Sequence, residues 1–135
     1  MKKLSKNLTS EWSLKKPPYL DKKDKRYSRY AKQLKTNGFC DPETWGLDSN
    51  ISKFILPRLI RFKEVNNGYP PDLTVEKWNE ILDQMIFAFH WNINYDGNFD
   101  NNEFENLSEE EEKLNWSKFE TGMKFFAEYF RHLWW

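Results

Sequence analysis

Residues 41–64 read DPETWGLDSNISKFILPRLIRFKE, and the fold follows from how this stretch is parsed. Asp41-Pro42 opens a short helical piece. Asp accepts the orphan N–H groups of a helix start, and Pro has its φ already set for the first helical turn. Gly46 weakens that piece, and Asp48 restarts the helix. Leu47, Ile51, Phe54, Ile55, Leu59 and Phe62 then recur mostly at steps of three and four, which puts them on one helical face. Lys53, Arg58, Arg61 and Lys63 fall largely off it. Pro57 has no N–H for the carbonyl of Lys53, so a kink is expected there.

The flanking segments have the same period. In DKKDKRYSRYAKQLKTNG (21–38), Tyr27, Tyr30, Ala31 and Leu34 share a face, and Asn37-Gly38 reads as a left-handed stop. After the rigid connector Tyr69-Pro70-Pro71, Thr74 is the cap of a helix. Its stripe is Val75, Trp78, Ile81, Leu82, Met85, Ile86 and Phe89, the strongest helical period in the chain. Residues 92–107 change to Asn, Asp and Glu with two Phe, and read as a polar acidic loop. Ser108 with Glu111 forms a capping box for the last helix, which has a break expected near Asn115. There Phe119, Met123, Phe126, Phe130 and Leu133 form a seam. Strand signals are absent. The expected architecture is all-α: a bundle of four main helices with a kinked central helix. A single helical domain over 21–135 follows an irregular basic arm, 1–20.

Composition sets bounds. A chain of 135 residues with 18% aromatics, including seven Trp and eleven Phe, can fill one core. Its 21 Lys/Arg balance its 21 Asp/Glu, but unevenly. Residues 1–36 hold twelve basic and three acidic side chains; the rest hold nine and eighteen. Such a basic arm suits an anionic partner. No known binding motif backs a nucleic-acid reading, and the plainer reading is an arm that folds onto its own acidic body or stays solvated. Cys40 is alone, which fits a reducing cytoplasm. The start MKKLSKNLTSEWSL has no apolar core of a signal peptide, and no apolar run is long enough for a membrane span.

One resemblance covers about two-thirds of the chain. From Arg29 to Phe89 the sequence carries an aromatic-basic helix, then D-x-x-T-W-x-L-D, then I-x-x-F-I-x-P-R-L-x-x-F-K-E. After these come G-Y-P and L-T-x-E-x-W-x-E-I-L-x-x-M-I. A tail W-x-x-F-x-x-G-M-x-x-F-A-x-Y-F-x-x-L-W follows from Trp116 to Trp134. This motif order resembles a group of small proteins encoded by bacteriophages and prophages. The resemblance implies phage origin and an all-helical fold, in the cytoplasm of a bacterial host. It brings no catalytic residues.

Several constellations carry chemistry. Asn92, Asn94, Asp96, Asn98, Asp100 and Glu103 fit the register of a twelve-residue calcium loop, with Gly97 at the sharp turn. Against it stand the Asn at position one, a poorly supported exit helix and the lack of a second loop. The plain alternative is a solvated polar turn. Arg58 and Arg61, one turn apart, can grip an anion, or simply pair with Glu64. Trp45 reads as core and Asp48 as a cap. His90 and His132 are lone histidines, and nothing beside Cys40 suggests an activated thiolate; a small buried Cys is the simpler reading. Trp134 and Trp135 either cover the core or anchor a partner.

No residue set here dictates an activity. The expectation is a non-enzymatic phage accessory protein that acts by binding a host protein, as a counter-defence or host-takeover inhibitor. Its binding residues would be drawn from Trp45, Arg58, Arg61, Tyr69, Trp134 and Trp135. One alternative is a sponge for a small anionic, nucleotide-like ligand. Another is a calcium-binding structural module. The aromatic carboxyl end leaves a homo-oligomer open.

Overall fold

The computed structural model describes residues 20–95 and 104–134, and the chain divides into two compact units, Met1–Asn50 and Ile51–Trp135. The fold is all-α: helices α1 (Tyr27–Asn37), α2 (Asp41–Trp45), α3 (Leu47–Val65), α4 (Val75–Asn94) and α5 (Glu109–Glu128), followed by a 3-10 turn at Phe130–His132. No described residue lies in a strand. The arm at 1–20 lies, apart from Leu20, outside the described residues.

In the first unit, α1 starts later than its composition suggests. Asp21 and Asp24 accept hydrogen bonds from the N–H groups of Lys23 and Arg26, at 3.0 and 2.9 Å. Such local bonds compete with the helix ladder and hold 21–26 in turns. Gly38, at φ 84°, closes the helix by donating to the Leu34 carbonyl, as the Asn-Gly pair implies. Cys40, not Asp41, is the N-cap of α2, and Glu43 Oε2 accepts from the Cys40 N–H at 2.7 Å. Asp41 instead forms a reciprocal clamp with Gln33 of α1. Its N–H donates to Gln33 Oε1 at 2.8 Å, and its carboxylate accepts from Gln33 Nε2 at 3.0 Å. Across the Gly46 break, Asn50 Nδ2 donates to the Glu43 carbonyl at 2.6 Å and ties α2 to the start of α3.

In the second unit, α3 continues unbroken through Pro57, which supplies no N–H to the Lys53 carbonyl. Thr74 caps α4 through the Lys77 N–H. Ser108 and Glu111 close a full capping box on α5 at 3.1 and 2.8 Å. Helix α5 runs unbroken through Asn115, so the break expected there is absent.

The core consists of buried Leu59, Trp78, Ile81, Leu82, Met85 and Phe89. Phe62 of α3 packs against it, as do Met123, Phe126 and Tyr129 from the chain's last segment. Helices α4 and α5 come into close contact at Gly122. A Cβ placed there would overlap the Gln84 carbonyl oxygen and lie 2.6 Å from the Ala88 Cβ. That proximity brings Phe89 edge-on to Phe126, with ring centroids 4.9 Å apart. Lys63 and Asp83 pair at 2.6 Å between α3 and α4.

Helix α4 extends to Asn94, beyond the expected end, because its last turns have their own aromatic partners. Buried Trp91 meets Phe104 at 4.9 Å and Trp116 at 5.6 Å. Phe104 and Trp116 thereby cover the far end of α4. Four residues assigned to apolar faces lie at the surface: Leu47, Ile51, Val75 and Phe130, each about half exposed. Leu47 and Val75 open their helices, Ile51 lies one turn into α3, and Phe130 begins the 3-10 turn.

Leu82 has no exposed surface, whereas Leu114 on α5 is 56% exposed. Leu82→Ala is therefore expected to cost about 2–5 kcal/mol in chemical denaturation. Leu114→Ala should stay within about 0.5 kcal/mol. Equal losses would contradict this core.

Candidate functional site

The candidate site lies where the α3–α4 connector runs beside the C-terminal turn. The Asn66 N–H donates to the Phe62 carbonyl at 2.8 Å and ends α3. The Asn66 side chain then bonds both the N–H and the carbonyl of Gly68, which turns the chain. Pro70 and Pro71 follow with fixed φ, and the Leu73 N–H donates to the Pro70 carbonyl at 3.0 Å. Pro70 is buried and Leu73 packs on the core, so the connector is pinned on one side. Tyr69, just before the buried proline, is left 52% exposed.

The opposite wall forms similarly. The His132 N–H donates to the Tyr129 carbonyl at 2.9 Å, and the Leu133 N–H to the Phe130 carbonyl at 3.3 Å. Leu133 packs on the core, and its neighbours His132 and Trp134 are exposed, Trp134 by 75%. Between the walls is a groove of about 310 Å³, lined by Asn67, Gly68, Tyr69, Pro70, Pro71, His132 and Trp134.

The structure thus brings together Tyr69 and Trp134, and leaves out the two arginines. Arg58 folds back along its own helix: its guanidinium donates to the Phe54 carbonyl at 2.8 Å and stacks 4.0 Å from the Phe54 ring centre. Arg61 pairs with Glu64 at 2.9 Å. Neither lines the groove. Trp45 belongs to the first unit and is 62% exposed, not core as its motif suggested; it meets Tyr30 edge-on. Trp135 lies outside the described residues.

Of the calcium register, Asp96, Asn98, Asp100 and Glu103 lie outside the described residues. Asn92 and Asn94 form the last turn of α4. Asn92 Nδ2 donates to Ser52 Oγ at 3.0 Å, and Asn94 Nδ2 to the His90 carbonyl at 2.9 Å. Among the described residues no three His, Cys, Asp or Glu side chains group closely enough to hold a metal ion. No helix among them is long and apolar enough to cross a membrane.

Cys40 is 1% exposed. Burial, reinforced by the Glu43 carboxylate, pushes its thiol up to about 11. At neutral pH it is a protonated thiol, the opposite of an activated nucleophile. The groove residues that sequence reasoning missed are Asn67, Gly68, Pro70, Pro71 and His132. Their signal was present in the Tyr-Pro-Pro connector and in the Leu133-Trp134 step. What was lacking was any sign that the two segments are neighbours.

No family model matches the chain, and neither a curated protein nor a solved structure gives a significant match.

A thiol raised in the folded state favours folding below its unfolded value, near 9, and loses that contribution as pH rises toward 11. The native protein should therefore lose stability between pH 9 and 11 more steeply than Cys40→Ala does. Cys40 should also resist iodoacetamide until the chain unfolds. Rapid alkylation of the folded protein at pH 8 would contradict the burial.

Proposed function

We propose that this chain is a non-enzymatic phage accessory protein, acting in the host cytoplasm by binding a host protein and inhibiting it. One observation carries the binding half of this reading: Tyr69 and Trp134 are both exposed and line one groove, each next to a residue anchored in the protein. Tyr and Trp offer a large apolar face with a polar handle at low entropic cost, and are enriched among the residues that dominate interface energies. Here both are held out to solvent by a packed backbone. The phage half is supported by the ordered motifs from Arg29 to Trp134.

The same geometry favours a protein partner over an anionic small molecule. Among the described residues no Lys or Arg lines the groove, while Arg58 and Arg61 are engaged on their own helix. The protonated thiol of Cys40 speaks against a cysteine nucleophile.

The test is capture from host lysate with tagged wild type and with the Tyr69→Ala/Trp134→Ala double variant, followed by reconstitution from purified components. Wild type should retain one host protein near 1:1 and reduce its activity to a stoichiometric end point. The double variant should melt like wild type and bind at least about tenfold more weakly. Equal capture by both proteins, or a complex that leaves the host protein's activity untouched, would contradict the proposal.

A further inference from the structure

Asn-Gly occurs twice in the sequence, at Asn37-Gly38 and at Asn67-Gly68. The dipeptide is chemically labile. The backbone nitrogen after an Asn can attack that residue's side-chain amide, and a glycine there puts no Cβ in the way and turns freely. The fold treats the two copies differently. Asn37 is the last residue of α1, and Gly38, at φ 84°, donates its N–H to the Leu34 carbonyl at 3.0 Å. Ring closure needs the Asn backbone to leave its helical conformation and the Gly nitrogen to give up its acceptor. The helix end therefore protects this copy.

Asn67 and Gly68 are both exposed and belong to no helix. Among the described residues, nothing lies within 4 Å of the place a Gly68 Cβ would occupy. The Gly68 N–H donates to Asn66 Oδ1 at 3.3 Å, a bond longer than usual. Its acceptor is an exposed side chain, not the carbonyl of a helix. Buried Pro70 pins the connector only two residues further on.

We propose that Asn67-Gly68 is a site of spontaneous deamidation, and that Asn37-Gly38 is kept intact by its helix end. The Gly68 backbone nitrogen loses its proton to solvent and forms a bond to Asn67 Cγ. The Cγ–Nδ2 bond breaks, and Nδ2 leaves as ammonia. The succinimide ring so formed takes up one water. Hydrolysis of its bond to Cγ gives aspartate. Hydrolysis of its bond to the backbone carbonyl carbon gives isoaspartate, whose main chain runs through Cβ and Cγ. The sum is amide plus water to carboxylate plus ammonium, with no oxidant or reductant. Asn67 lines the groove, so the lining gains a negative charge. The isoaspartyl form also adds one methylene to the main chain that leads to Tyr69. The lability belongs to the connector itself and stands whether or not the groove docks a partner.

The experiment keeps the full-length protein in neutral buffer made with oxygen-18 water, folded and, in parallel, unfolded in urea. Peptide mapping by mass spectrometry follows each Asn-Gly separately, and electron-transfer fragmentation distinguishes isoaspartate from aspartate. In the folded protein Asn67 should convert at least about fivefold faster than Asn37, the rate equivalent of one backbone hydrogen bond. The product should carry one labelled oxygen and include isoaspartate. Conversion should speed up as pH rises, because the attacking nitrogen must lose its proton. Urea should bring the two rates together. Equal rates in the folded protein, or faster loss at Asn37, would overturn the proposal. So would aspartate as the sole product, which indicates direct hydrolysis without the ring. A gap of the same size in urea would trace the difference to the neighbouring residues instead of the fold, and would overturn it as well.

Discussion

The absence of a side chain at Gly122 is the constraint on which the second unit depends. Helix α5 can approach α4 until the Gly122 backbone faces the Gln84 carbonyl and the Ala88 methyl because nothing stands between them. Contacts on either side follow from that distance. Below it Phe126 reaches Phe89, and further along Tyr129 reaches Trp78 with ring centroids 5.6 Å apart. Toward the other end Trp116 reaches Trp91. Aromatic edges have steep distance dependence, so a helix pair held one or two ångströms wider would lose all three contacts together.

The groove inherits its shape from the same contact. Tyr129 and Leu133 are anchored on the core, and the short 3-10 turn between them presents His132 and Trp134 to solvent. Opposite, Leu73 and buried Pro70 fix the connector that carries Tyr69. Exposed aromatics on a backbone held this way do not have to be ordered when a partner arrives. That is the physical basis for reading the groove as a binding surface.

Much of the helical content was legible from periodicity. The Trp78–Phe89 stripe, the Thr74 cap and the Ser108/Glu111 box all lie where spacing and cap chemistry put them. Boundaries were less legible. The start of α1 depends on two Asp side chains that bond their own backbone, a competition that hydrophobic period does not report. The end of α4 depends on Phe104 and Trp116, which are distant in sequence. The site was legible in pieces: Tyr69 and Trp134 were each conspicuous as aromatics in irregular segments, but only the packing of α5 along α4 makes them neighbours. Arg58 looked like an anion grip because a sequence does not show that Phe54 offers it both a carbonyl and a ring one turn earlier. Gly122 itself was visible only as one letter in a family-like pattern, with no sign that the Gln84 carbonyl lies against it.

The Gly122→Ala variant tests this account most directly, because two physical effects there have opposite signs. Helix propensity alone would make alanine more stable by about 1 kcal/mol inside a helix. The packing described here makes the added methyl overlap the Gln84 carbonyl, so the account predicts a loss of about 1–3 kcal/mol in equilibrium denaturation. Adding Ala88→Gly should recover only part of it, since the Gln84 carbonyl remains in the way. A Gly122→Ala protein as stable as wild type, or more so, would contradict the claim that this backbone contact sets the geometry of the core and of the groove beside it.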